Sequence, residues 1–65
     1  MLAAVIAYGE GFQAGQKDMQ KRYFDLTTAR YEVEEAETAD EKLKIEAFWN
    51  GYSDGGMAYL AGEII

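Results

Sequence analysis

The chain has 65 residues with 12 Asp and Glu against 6 Lys and Arg, a net charge of −6, and no Cys, His or Pro. Disulfides and thiolate metal sites are thereby excluded, and so is the commonest general base and metal ligand. An apolar content of 49% is too high for a disordered tail, yet a chain this short buries little of its own surface and ordinarily leans on oligomerisation or a partner.

The charge is unevenly spread. Residues 1–31 carry four basic and three acidic groups, or +1, whereas residues 32–65 carry nine carboxylates against Lys42 and Lys44, or −7. Phosphate-backbone binding needs clustered positive charge, so direct nucleic-acid binding is not expected and a protein partner with a basic surface is. The apolar run from Met1 to Tyr8 is far shorter than the ~20 residues that span a bilayer. It also lacks the basic n-region of a signal peptide. No membrane association and a cytoplasmic location are expected.

Along the chain, Val5, Phe12, Met19, Leu26 and Val33 recur every seventh position, and no Gly lies between Gly15 and Gly51. The period predicts one long helix over 2–36. "TADE", Thr38 to Glu41, reads as a capping box. Thr38 would accept from the Glu41 N–H, and Glu41 would reach back to the Thr38 N–H. The other reading leaves Thr38 inside a single unbroken helix. A second helix is predicted over 39–62, with Ile45, Phe48, Tyr52, Gly55 and Tyr59 on its seam. "SDGG", Ser53 to Gly56, is a rival turn signal. The expected fold is all-α, an antiparallel two-helix hairpin in one domain, dimerising into a four-helix bundle.

The stretch "AVIAYGEGFQAG" contains Gly9, Gly11 and Gly15. A dinucleotide loop would need a second parallel strand downstream, and residues 16–44 offer no candidate. Small-residue packing accounts for the spacing better. Ala3, Ala7, Gly11 and Gly15 recur every four residues, as do Ala47, Gly51 and Gly55. Ala7, Gly11, Gly15, Gly51 and Gly55 are expected to let two helix backbones approach closely. "AYGEGFQAG" and "AFWNGYSDG" share an aromatic–glycine spacing, a weak internal repeat.

No catalytic residue or cofactor is expected. Ser53 lacks any nucleophile motif, and no EF-hand spacing or other metal site is present. Most of the nine aromatics are expected in the core. Trp49, beside the second seam, is the expected exposed anchor of an interface. The acidic run "EVEEAETADE" contributes Glu34, Glu35, Glu37 and Glu41 as the expected contacts to a basic partner; its other reading is a solvated helix end.

In "EGFQAGQKD" and "FWNGYSDGG", together with its size and its lack of Cys and His, the chain resembles short acidic accessory proteins of bacteriophages. Its ladder of small residues is similar to glycine-repeat helices in flagellar export regulators. The phage resemblance implies a protein that binds and modulates a host factor by occluding it, in the host cytoplasm. The competing expectation is a structural homo-oligomer without an outside target.

Overall fold

A computed structural model describes the backbone over residues 2–26 and 29–64, and the side chains over 2–26 and 32–62. The described residues form three helices and no strand: α1 (Leu2–Gln20), α2 (Ala29–Glu35) and α3 (Ala39–Ile64). The all-α class holds, but the first helix stops well short of residue 36. Its end is a Schellman closure: the Tyr23 N–H donates to the Asp18 carbonyl (2.8 Å) and the Arg22 N–H to that of Met19 (3.1 Å). Arg22 takes the left-handed conformation this needs, with φ 63°. The part of the expected helix at Thr27 and Thr28 lies outside the described residues. Of the continued heptad, Leu26 is exposed and Val33 sits on the short α2.

The second boundary follows capping chemistry. The Glu41 N–H donates to Thr38 Oγ1 (3.1 Å), and the Lys42 N–H to the Thr38 carbonyl (3.0 Å). The Glu41 carboxylate reaches one residue further back than expected, accepting from the Glu37 N–H at 3.2 Å. From there α3 runs unbroken through Ser53–Gly56. That stretch stays helical because neighbours occupy the space its glycines leave: the Phe12 carbonyl faces Gly55, and the Phe24 ring covers Gly56.

The helices pair in the same direction, which corrects the antiparallel hairpin. Gly51 lies against the Tyr8 carbonyl and Gly55 against that of Phe12; Gly11 lies against the Phe48 carbonyl and Gly15 against that of Tyr52. Residue numbers climb together on both helices. A Cβ on any of these four glycines would overlap the facing carbonyl oxygen. The hydrogen in its place points at that oxygen, the Cα–H···O contact that recurs at close helix interfaces. Parallel packing is possible because α2 lies back along α3 and brings the chain to the starting end. Trp49 Nε1 donates to Glu32 on α2 (3.0 Å), and Phe24 stacks on Tyr52 with centroids 4.7 Å apart, so the return segment runs antiparallel to α3.

Among the described residues α1 and α2 each pack on α3 and not on one another. The molecule is correspondingly flat, 40 × 24 × 12 Å. Its core is small. Gly11, Gly15, Gly51, Gly55 and Gly56 are buried, with Tyr52 the buried large side chain at 3% exposure. Trp49 meets Tyr52 edge-on at 5.0 Å and Phe48 at 5.3 Å.

Candidate interaction surface

Because α1 and α3 run parallel, both N-termini lie at one end of the molecule. Ala3 and Ala4 of α1 and Asp40, Leu43 and Lys44 of α3 line a groove there of about 340 Å³. Leu43 is 57% exposed. Asp40 and Glu46, three residues to either side of it, fall on the same face of α3 and are exposed.

The return path of α2 delivers the acidic run to this same end. Glu34 and Glu35 close α2, Glu37 lies in the connection, and Glu41 sits in the first turn of α3; all four are exposed. The structure thus gathers Glu34, Glu35, Glu37 and Glu41 at one end. Glu41 is also engaged in the cap of α3. Glu34 and Glu35 stand in the last turn of α2, where the helix dipole disfavours a negative charge and no basic residue offsets it.

Trp49 does not join them as a free anchor. It is half-buried, its indole N–H is committed to Glu32, and its ring packs between Phe48 and Tyr52. The exposed apolar residue at that end of α3 is Leu43, flanked on its own face by Asp40 and Glu46. Sequence reasoning passed over it because it lies off the 3/4 seam of α3. That offset, with Asp40 and Glu46 on either side, was the available signal. Tyr31, one of the nine aromatics, has a side chain outside the described residues.

A second apolar region covers the opposite edge. Leu2, Val5 and Ile6 are 73, 67 and 54% exposed on α1. At about 100° per residue they point away from the Gly11–Gly15 seam that faces α3. Gly9 lies on the same outer face with nothing within 4 Å of its missing side chain.

Two tyrosines carry shifted titrations. The hydrogen bond to Asp54, with some burial, raises the Tyr8 hydroxyl above its usual 10.0. Burial raises Tyr52, reinforced by its bond to Asp18 at 2.5 Å. Both shifts hold the proton on the phenol, the reverse of what a nucleophile or base requires. The bonds tie α1 to α3 instead. Among the described residues no group of three or more acidic, His or Cys side chains converges as a metal site, and no helix is long and apolar enough to cross a membrane. Comparison with protein-family models, curated proteins and solved structures finds no match.

Proposed function

We propose that this chain is a non-enzymatic protein-interaction module that binds and occludes a protein carrying a basic surface. The observation that carries the reading is the position of Leu43, an exposed leucine in a groove at the end where Glu34, Glu35, Glu37, Asp40 and Glu41 collect. An apolar centre with a charged rim is the anatomy of a protein interface. The carboxylates steer an oppositely charged partner towards the groove, and the leucine supplies apolar burial once contact is made. Glu34 and Glu35 gain most from such a partner, since a neighbouring cation relieves their clash with the α2 dipole. A protein groove that otherwise takes a phosphate backbone has the required chemistry. Occlusion needs no catalytic group, in keeping with a chain whose shifted tyrosines are held protonated.

The test is capture of a partner with the immobilised chain, followed by association kinetics over a range of salt. Reversing Glu34 and Glu35 to Lys slows association about tenfold at low ionic strength and far less at high ionic strength. Leu43→Ala leaves association nearly unchanged and speeds dissociation. Association that ignores both salt and the reversals, while exposed substitutions in 8–24 abolish capture, refutes the reading.

A further inference from the structure

The outer face of α1 is the largest feature that neither the fold nor the acidic groove uses. Its first turns, Leu2 to Gly9, hold no charged residue. Leu2, Val5 and Ile6 are left mostly in solvent. Gly9 on that face is unlike the glycines of the α1–α3 seam. Gly11, Gly15, Gly51 and Gly55 each make room for a carbonyl of the facing helix, whereas nothing in its own chain approaches Gly9. A solvent-facing helical glycine costs about 0.8–1 kcal/mol relative to Ala with no return within the chain.

The exposed area of the whole chain is large for its mass. The chain exposes 4951 Å². A folded monomer of 7.3 kDa ordinarily exposes about 4,200 Å², leaving an excess of about 800 Å². A standard interface removes about 800 Å² from each partner. Charge selects the occupant. The acidic half of the chain repels a second copy, but the first turns of α1 are uncharged, the whole helix carries only Glu10, Lys17 and Asp18, and among the described residues α1 packs on α3 without touching α2. Pairing through α1 therefore keeps the two acidic runs apart.

We infer that the outer face of α1 is covered by the same face of a second copy, in a two-fold antiparallel pairing. Ile6 of one chain then sits over the space at Gly9 of the other, and the two-fold axis repeats the contact. Antiparallel α1 helices also keep like dipole ends apart. The groove opens between Ala3–Ala4 and α3, on the side of α1 turned towards α3, and stays open when the outer face of α1 is covered, so this inference does not depend on the proposed partner.

Sedimentation equilibrium of the full chain at tens of micromolar tests it, with circular dichroism as the check on folding. The wild type has twice the 7.3 kDa chain mass. Ile6→Glu, at an exposed site, halves that mass with helicity retained, and Leu43→Glu leaves it at the dimer value. Single-cysteine chains Ile6→Cys and Gly9→Cys, mixed and oxidised, cross-link preferentially with one another. A monomeric wild type overturns the inference, as does a dimer that survives Ile6→Glu. Cross-linking that favours like with like overturns the antiparallel pairing. If the wild type is monomeric and Ile6→Glu blocks capture of the basic partner, the face belongs to that partner and not to a second copy.

Discussion

The Tyr52 hydroxyl on α3 donates to Asp18 on α1 at 2.5 Å, and the Tyr8 hydroxyl on α1 makes the reciprocal bond to Asp54 on α3. The two bonds link the helices in opposite directions, from Tyr8 and Asp18 on α1 to Asp54 and Tyr52 on α3. The buried member is the more important, because Tyr52 also accepts from the Asp25 N–H at 3.2 Å and so fixes the start of the return segment. Tyr52→Phe keeps the ring stack and removes both bonds. A loss of about 1.5–3 kcal/mol is expected, as for a hydrogen bond to a charged group, read by urea denaturation.

The same pair sets an alkaline limit. The folded Tyr52 hydroxyl titrates above its usual 10.0, chiefly because it is buried. Its contribution to stability is therefore complete below that value and is lost as pH rises through the folded pKa. Wild-type stability falls beyond about pH 10, and Tyr52→Phe shows a shallower fall over the same interval. Melting curves across the alkaline range check both slopes.

Glycine substitutions separate the seam from open surface. Gly11→Ala and Gly55→Ala drive a methyl into the carbonyls of Phe48 and Phe12, so the helices must part. A net loss of about 1–3 kcal/mol is expected despite the better helix propensity of Ala. Gly62→Ala meets nothing within 4 Å and gains up to about 1 kcal/mol. Thermal denaturation of the three variants gives opposite signs.

Arg22 holds a position that suits glycine. Its left-handed φ of 63° is strained for a side chain with a Cβ. Arg22→Gly stabilises by about 1 kcal/mol, a rise of several degrees in Tm for a chain this size. An unchanged Tm would mean that the guanidinium makes a compensating contact.

Charge reversal at the end of α2 separates binding from stability. Lys at positions 34 and 35 complements the negative end of the α2 dipole, so Tm is expected to hold or rise slightly. Partner association slows in the same variants. A falling Tm alongside lost binding would trace the loss to unfolding rather than to the surface.

Much of the architecture is legible in the residues, and the failures share one cause. The Thr38 cap is local chemistry, so α3 begins where the sequence places it. The small-residue seam is legible because Gly at i and i+4 has few other uses in a helix. The end of α1 is not, because the break falls at Lys21–Arg22 with neither Gly nor Pro to mark it; Tyr52 stabilises it from the far side of the fold by holding Asp18 and Asp25. The seventh-position series carried on through Leu26 and Val33, which suggested a helix that tertiary contacts override. The repeat locates the seam but leaves the parallel orientation open. Tyr8, Gly11, Phe12 and Gly15 recur as Phe48, Gly51, Tyr52 and Gly55 in the same order. Two helices carrying one pattern can pair about a two-fold axis running along them or across them, so the repeat marks the shared seam and the return segment decides its direction. Trp49 is more enclosed than its place beside the seam suggests, because α2 folds back and sets Glu32 against its indole N–H.

The parallel glycine seam is what brings the two N-termini, the groove and the acidic run to one end, and nuclear Overhauser contacts test it most directly. Gly51 faces both the Tyr8 carbonyl and the Phe12 backbone nitrogen. A contact is therefore expected between the Gly51 α-protons and the Phe12 amide, and a second set one turn on, from Gly55 to the residues after Phe12. Contacts whose residue numbers rise on one helix as they fall on the other would contradict the parallel pair, and with it the site built upon it.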